Sequence, residues 1–369
     1  MSKLTFNNRQ NIFYNTLKSA VDEYFVRQDI SKTGNWKLYL KTIVLFPLAI
    51  ALYVSLLTLH VNIWWGIGLS IVLGFTLAFI GFNVMHDACH GSYSRKKWIN
   101  DTFSLTMNVL GSNAFIWKLK HNIIHHTYTN IDGIDDDIVK TPVLRECSTQ
   151  KWMPVHRYQQ YYIFILYGFT SLIWVFLTDY LKYFTQRVLV TPFKKMDFRE
   201  HFIFWISKVL YLVFYVAIPV AAVGWGAWAI GFLVMHLALG FTLALVFQLA
   251  HVVEQAEFEV AGLEPKRIEN EWAIFQIKTT ADFAGKNKIL SWLIGGLNFQ
   301  VEHHLFPRVS HVHYPAISKI VKETCHKFNL PYNYYPTMTS ALASHYRLMK
   351  QLGTKPFPDQ SVDSALTNS

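Results

Sequence analysis

The stretch "IWWGIGLSIVLGFTLAFIGFNVM" (63–85) runs directly into "HDACH" (86–90). None of the residues from 63 to 85 is charged. A helix rises about 1.5 Å per residue, so about 20 apolar residues cross a hydrocarbon core of roughly 30 Å. The stretch therefore predicts a transmembrane helix that ends in two histidines.

Three further stretches, at 43–59, 202–223 and 228–250, are also long and apolar. The stretch 43–59 pairs with 63–85 into one predicted hairpin, and 202–223 pairs with 228–250 into a second. Hydrophobic residues make up 52% of the chain and charged residues only 16%. A soluble protein with four buried helices is the alternative. The concentration of apolar residues in four blocks instead favours an all-α integral membrane protein with four transmembrane helices and a helical cap.

The distribution of basic residues predicts the orientation. Residues 1–41 and 86–201 carry many lysines and arginines, whereas the links "HVN" (60–62) and "GWGA" (224–227) carry none. By the positive-inside rule, both termini and the cap are cytoplasmic, and four tryptophans beside the links fit an interfacial belt. The basic residues of the cytoplasmic segments account for the net charge of +10, and the sequence contains no nucleic-acid-binding motif. We expect no nucleic-acid partner.

The segment "YYIFILYGFTSLIWVFLT" (161–178) is apolar enough to form a fifth span. If it crossed the bilayer, the histidines near residue 90 and those near residue 303 would face opposite sides. Tyrosines and charged residues flank it, which is typical of a helix lying in the interface. We predict that it is interfacial and does not cross.

Eight of the 16 histidines fall where one cytoplasmic end of a four-helix bundle could gather them: His86, His90, His121, His125, His126, His251, His303 and His304. The pairs 86/90 and 121/125 have the i, i+4 spacing that places both side chains on one helix face. Each pair alone is a weak signal, since a solvated or hydrogen-bonded histidine is common. Together the eight predict a metal site. The other eight are predicted not to bind metal: His60, His156, His201, His236, His311, His313, His326 and His345.

The number of imidazoles limits how many metal ions, and of which kind, the site could hold. Zinc takes four ligands and haem iron two axial ones, so eight exceed the need of one ion. Imidazole suits zinc, copper, iron and nickel. Two metals with about four histidines each fit the count, and a redox-active iron pair is the sharpest hypothesis.

The three motifs "HDACH", "HNIIHH" (121–126) and "QVEHH" (300–304) resemble, in type, order and spacing, the three histidine boxes of the membrane fatty acid desaturases. The resemblance covers roughly residues 40–320. It implies a di-iron centre near the cytoplasmic face, O2 as co-substrate, and a further ligand at the end of the last span, where His251 stands. The product would be a cis double bond in a fatty acyl chain linked to CoA or to a lipid.

The third box begins with Gln300 where many members have a histidine. That form resembles front-end desaturases and bacterial linoleoyl-CoA desaturases, which implies the bacterial inner membrane as location. The haem signature of a fused cytochrome b5 domain is missing, so electrons would come from a separate ferredoxin, or from cytochrome b5 with its reductase. Supporting roles around the ligands are expected for Asp87, Asn298, Gln300 and Glu302. The acidic run "NIDGIDDD" (130–137) either orients box-two histidines or is a solvated loop.

This interpretation divides the chain into three parts. Residues 1–41 are a cytoplasmic arm, 42–320 the membrane desaturase domain, and 321–369 a cytoplasmic segment with a disordered tail, "KPFPDQSVDSALTNS" (355–369). Cys89, Cys147 and Cys325 all lie on the predicted reducing side, so no disulfide is expected. Two alternatives stay open: a hydroxylase or ketolase on the same scaffold, and, from a different class, a metal or proton transporter.

Overall fold

The computed structural model describes residues 4–8, 11–59, 61–138, 142–193, 195–261 and 267–356. His60 and all but the first two residues of the predicted disordered tail lie outside this part of the chain. Helices dominate the described residues, and the strands are short pairs. Three of those pairs are parallel and one is antiparallel: Thr5–Phe6 with Arg267–Ile268, Ile131–Asp132 with Glu259–Val260, Asp282–Phe283 with Tyr334–Tyr335, and antiparallel Arg187–Val188 with Thr191–Pro192.

Four helices in the described residues are long and apolar enough to cross a membrane: Trp36–Thr58, Ile63–His90, Pro154–Thr185 and Phe198–His251. The prediction of an all-α membrane protein is confirmed. The boundaries differ from those expected, because the first helix begins at Trp36, where the Asn35 side chain accepts a hydrogen bond from the backbone N–H of Lys37. The predicted boundary between arm and membrane domain therefore falls inside a helix.

The helical segment Phe198–His251 is a hairpin. Gly224 has φ 80° and ψ 163°, which turns the chain back and is accessible to a residue without Cβ. The Tyr211 hydroxyl lies 2.6 Å from Nε2 of His236, whereas 25 residues of straight helix would span about 37 Å. The stretches predicted as third and fourth spans thus form two antiparallel arms, 198–223 and 225–251.

The bent helix Pro154–Thr185 contains the segment predicted to be interfacial. A Cβ on Gly240 would lie 2.5 Å from the carbonyl oxygen of Gly168, so the bent helix and the second arm meet backbone to backbone. Near the start of this helix, Gln159 bonds the helix Met338–Gly353, whose His345 lies 2.6 Å from the carbonyl oxygen of Val252, just after the second arm. At its other end, the Tyr183 hydroxyl lies 2.8 Å from His201, near the start of the first arm. Both ends therefore lie at the end of the hairpin that carries His251, so the helix is bent. This arrangement supports an interfacial position, which stays a prediction.

The cap is built from short helices around the ends of the long ones. Its helices are Ile12–Arg27, Lys97–Ser104, Thr106–Val109, Ala114–Lys118, Trp272–Thr279, Lys288–Leu293, Gln300–Leu305, Tyr314–Lys327 and Met338–Gly353. The N-terminal helix, Ile12–Arg27, buries Phe13, Leu17, Val21 and Phe25 against the helices that carry and follow the third box. It is an integral part of the cap.

Candidate metal centre

Each histidine box lies at a helix end or in an irregular turn. The first follows a π-helical turn, Gly81–Met85, at the end of the second long helix. The second occupies another π-helical turn, Leu119–His125, and the residue after it. The third lies in the short helix Gln300–Leu305, and His251 ends the hairpin. π-turns are rare and concentrate at functional sites, because they shift side chains to a new face of the helix.

The structure brings all eight predicted histidines together, and all are buried. Among the described residues, potential ligand atoms in each of four overlapping groups lie within 4.8 Å of one another. The first group is His86, His90, His121 and His303; the second is His125, His251 and His304; the third is His126, His303 and His304; the fourth is His121, His125 and Asp137. His126 thus lies between two neighbouring sets, as expected for two adjacent metals.

Four imidazoles are held by their Nδ1 atoms. Nδ1 of His304 lies 2.8 Å from Oε1 of Gln276, and that of His303 lies 3.1 Å from the Tyr314 hydroxyl. Nδ1 of His251 lies 3.4 Å from the carbonyl oxygen of Thr279. The fourth, His125, is held by carboxylates described below. Carbonyl and carboxylate oxygens only accept, so Nδ1 of His304, His251 and His125 donates, which fixes the tautomer of these rings and leaves Nε2 as the free ligand atom. In His303 the Tyr314 hydroxyl likewise occupies Nδ1 and leaves Nε2 without a hydrogen bond among the described residues.

The unpaired Nε2 atoms show whether the site suits a metal ion. Nε2 of His125, His251, His303 and His304 is buried without a hydrogen-bond partner among the described residues. Unpaired buried polar atoms are costly, so a cluster of them calls for an explanation. Nε2 of His121 lies 3.3 Å from Nε2 of His86 and equally far from Nε2 of His126. Two nitrogens bound at about 2.05 Å to a tetrahedral ion are about 3.3 Å apart. The donor set fits metal.

Electrostatics keep most of the rings in the form that binds metal. Burial first, and neighbouring imidazoles second, hold the pKa of His121, His126, His303 and His304 well below its ordinary value. These rings are therefore neutral at physiological pH. Ligand histidines must be neutral, so binding metal here requires no deprotonation.

Comparison with known proteins identifies the family of the protein. A family model described as "Fatty acid desaturase" matches residues 62–336. The chain belongs to the fatty acid desaturase family. The sn-1 linoleoyl-lipid 6-desaturase of Arthrospira platensis is 35% identical over 96% of each chain. A protein of the same name from Synechocystis is 35% identical over 92% of this chain and 95% of its own.

A third relative extends the comparison beyond these two organisms. The acyl-lipid (8-3)-desaturase of Physcomitrium patens is 34% identical over 94% of this chain and 72% of its own. These matches confirm the predicted family and enzyme class. The chain is a membrane fatty acyl desaturase, and the transporter alternative loses its support.

The acidic run after box two holds one predicted metal ligand of the desaturase. Nδ1 of His125 lies 3.0 Å from Asp135 and 3.3 Å from Asp137. Burial alone would lower the pKa of His125, but the charge of Asp135 and its hydrogen bond outweigh burial and raise it. Lys120 lies 2.8 Å from Asp137 and balances the carboxylates. Of the two interpretations of this run, the orienting role therefore fits the structure.

Replacing Asp135 with alanine should reduce double-bond formation by about 10- to 100-fold, because His125 loses the acceptor that fixes its ring. Bound metal per chain, measured by mass spectrometry, should fall in parallel. Asp101→Ala removes an exposed carboxylate and should change neither quantity. Unchanged metal content and activity in the Asp135 variant would contradict the orienting role.

Two predicted supporting residues contact other partners. Asp87 accepts a hydrogen bond of 2.6 Å from Ser310 and lies 3.1 Å from Nδ1 of His311, so it joins box one to the segment after box three and holds no ligand ring. Glu302 accepts a hydrogen bond from the Tyr332 hydroxyl, which also bonds Asp282. Burial, followed by the nearby Asp282 carboxyl, raises the pKa of Glu302 well above its ordinary value. Among the described residues, Glu302 thus bonds Tyr332, and its supporting role around the predicted ligands stays a prediction.

The supporting roles of Gln300 and Asn298 stay predictions. Both are buried, and none of their side-chain amide atoms has a hydrogen-bond partner among the described residues. Gln300 precedes His303 and His304 by three and four residues on one short helix, which places all three on the same face. The structure thus leaves the Gln300 amide free to face the metal centre.

Histidines predicted not to bind metal have other partners. His236 lies between the Ser171 and Tyr211 hydroxyls, at 2.9 and 2.6 Å. His345 lies between the Tyr167 hydroxyl and a backbone carbonyl. Short contacts also occupy His156, His201, His311 and His313, and His326 is exposed. None of these belongs to the metal groups found among the described residues.

Sequence reasoning missed several residues that support the ligands. Gln276, Thr279 and Tyr314 hold three ligand rings, yet they lie in no motif and at no recognisable spacing from one. Trp117 stacks on His121 with ring centroids 4.3 Å apart. Its position four residues before His121 was the one available signal, since such pairs meet on a helix.

A small apolar cleft of the desaturase adjoins the histidine cluster at His86. His86, Met85 and Trp117 line it near the histidines, and Phe247 and Leu243 of the second arm line its side. Farther residues of the wall include Leu110, Val175 and Leu239. Its lining is almost entirely apolar, as contact with a hydrocarbon chain requires.

Proposed function

We propose that the eight histidines hold two iron ions and that the desaturase uses them to insert a cis double bond into a lipid-linked fatty acyl chain. The observation that carries this proposal is the set of eight buried imidazoles, whose unpaired ring nitrogens lie in overlapping groups. Imidazole is a good ligand for iron, and the count suits two ions with positions left open.

When bound, the iron pair supplies the O2 chemistry that removes hydrogen from an unactivated methylene pair. The overall reaction consumes –CH2–CH2–, O2, two electrons and two protons, and yields –CH=CH– and two water molecules. O2 needs four electrons to reach water, and the acyl chain supplies two. The other two must come from outside the chain.

The residues of the protein hold the acyl chain and keep the site dry. In this proposal a methylene pair of the substrate lies beside His86, next to the ligand rings, with Trp117 and Phe247 as neighbours. Burial of all eight histidines excludes bulk water, which protects reactive species from side reactions. Asp135, Gln276 and Tyr314 hold ring orientation during turnover.

The proposed substrate class is an acyl chain esterified in a membrane lipid, and the proposed type is front-end. The relatives from Arthrospira and Synechocystis are named for a linoleoyl-lipid substrate and the 6 position. Gln300, which opens the third box, supports the front-end type. We further propose that the metal centre and both termini face the cytoplasm of a bacterial inner membrane, where a ferredoxin or cytochrome b5 delivers electrons.

Expression in a host fed defined fatty acids tests the function. Phospholipid and acyl-CoA pools are separated, and each is examined by gas chromatography and mass spectrometry. A new double bond that appears first in the phospholipid supports the proposal. A product heavier by one oxygen atom would favour the hydroxylase or ketolase alternative, and first appearance in acyl-CoA would overturn the lipid-linked substrate.

Filling the cleft should change the accepted chain. Leu243→Trp places a larger side chain in the cleft wall, so we expect a loss of about tenfold or more on long chains and a shift toward shorter ones. Leu233 lies on the same arm and is 42% exposed, so Leu233→Trp is the matched control. An unchanged chain-length profile in the Leu243 variant would place the acyl chain elsewhere.

A further inference from the structure

One aromatic side chain connects the outer face of the cap to a predicted metal ligand. The indole N–H of Trp272 donates a hydrogen bond of 3.0 Å to the backbone carbonyl oxygen of His126. Trp272 is the first residue of the helix Trp272–Thr279 and is partly exposed. The Tyr14 ring meets it edge-on, with centroids 5.7 Å apart.

We propose that Trp272 is where electrons from a separate donor protein enter the desaturase. The inference rests on the proposed function, because only a reaction that needs external electrons requires such a route. Each encounter oxidises one donor molecule by one electron and reduces the metal centre by one. Two encounters supply the two electrons of a turnover, and the indole mediates tunnelling without being oxidised itself.

The covalent path supports this assignment. From the indole, one hydrogen bond reaches the carbonyl of His126, and a few covalent bonds then lead through its Cα and Cβ to the imidazole. Electron tunnelling decays steeply with distance and passes bonds more readily than gaps. A short bonded path from the surface to a predicted ligand therefore favours electron transfer into the metal centre.

Other aromatic residues beside the ligands lack one of these properties. Trp117 stacks on His121 but is only 4% exposed, and Tyr314 contacts His303 but is 1% exposed. In the described part of the chain, Trp272 is the tryptophan whose indole bonds a residue of the eight-histidine set and which also reaches the surface. A donor protein can therefore touch Trp272 directly.

The surroundings of Trp272 form a docking face suited to a protein. Phe6, Tyr14, Tyr128 and Trp272 are all partly exposed, and Phe6 and Tyr128 stack with centroids 6.2 Å apart. Aromatic side chains are enriched where proteins bind one another. The partner that we assign to this face is a small one-electron carrier protein with its redox group near its surface. The net charge of +10 favours an acidic one.

Trp272→Phe tests the route, because it keeps an aromatic ring and removes the N–H donor. The variant is compared with Trp98→Phe, which changes a tryptophan that is 66% exposed and outside this face. Reduced ferredoxin and reduced cytochrome b5 are mixed anaerobically with each protein, and oxidation of the donor is followed by its own absorbance. We expect donor oxidation about tenfold slower or more in Trp272→Phe, and unchanged in Trp98→Phe.

Two further measurements distinguish a loss of electron transfer from a loss of structure. Iron per chain should equal that of the wild type, and product from one turnover of chemically reduced enzyme should be unchanged. Donor oxidation at the wild-type rate would overturn the proposal, and so would a parallel loss of single-turnover product. Failure of chemically reduced wild-type enzyme to form a double bond would instead refute the proposed function.

A second variant covers the case in which Trp272→Phe loses its iron. Tyr14→Leu removes the ring beside Trp272 without touching the His126 carbonyl. We expect weaker donor binding, measured by surface plasmon resonance with the same two donors, and normal single-turnover product. Donor affinity and oxidation rate both equal to the wild type would overturn the proposed docking face.

Discussion

His303→Ala is expected to abolish double-bond formation and to lower the metal content of the purified protein. His303 belongs to two of the groups that could hold a metal, so its loss removes a predicted ligand from both. Residues that merely orient ligands cost about 10- to 100-fold when replaced, and loss of a shared ligand should exceed that range. Product is measured in the fed host, and iron by mass spectrometry.

The matched control is His326→Ala, which removes an exposed imidazole from the helix Tyr314–Lys327. It should leave both iron content and product unchanged. Membrane insertion is checked for both variants by fractionation, because loss of insertion would also remove activity. Normal product from an inserted His303→Ala variant would exclude His303 as a ligand.

Asp179→Ala is expected to destabilise the protein by about 3–5 kcal/mol, because it leaves a buried lysine without its counter-ion. Asp179 and Lys208 are both buried, and their charged atoms lie 2.9 Å apart. Ser112 and the Trp174 indole also donate hydrogen bonds of 3.1 Å to Asp179. The pair thereby joins the bent helix to the first arm.

Thermal unfolding in detergent measures this effect. Asp101→Ala breaks the exposed pair with Lys97 and should change stability by less than about 1 kcal/mol. The double variant Asp179→Leu/Lys208→Met removes both charges and should recover much of the loss, since two apolar groups replace the pair. A single variant as stable as the wild type would show that Lys208 finds another partner.

The sequence predicted the long helices and the identities of the clustered histidines because those signals are local. Uninterrupted apolar stretches and repeated i, i+4 histidines are visible without knowledge of the fold. The basic residues and tryptophans then placed the histidines at one end of the bundle. From that topology, convergence of all eight followed.

Contacts between distant parts of the chain were beyond sequence reasoning. A regular helix would not bring His121 and His126 together, but the π-turn does, with Nε2 atoms 3.3 Å apart. Gln276 and Tyr314 reach their histidines only through tertiary packing. Asp87 appeared suited to hold a ligand and instead joins His311, since no local signal shows which imidazole a carboxylate will meet.

The N-terminal helix has a consequence for how the protein is made. Leu17 and Val21 belong to one hydrophobic cluster with Ile277 and Ile317, which are synthesised some 260 to 300 residues later. Until then, the apolar face of the N-terminal helix has no partner in this cluster. Packing of this helix onto the third box must therefore be a late event of biogenesis, and the histidine cluster stays open on that side while the earlier long helices are already in the bilayer.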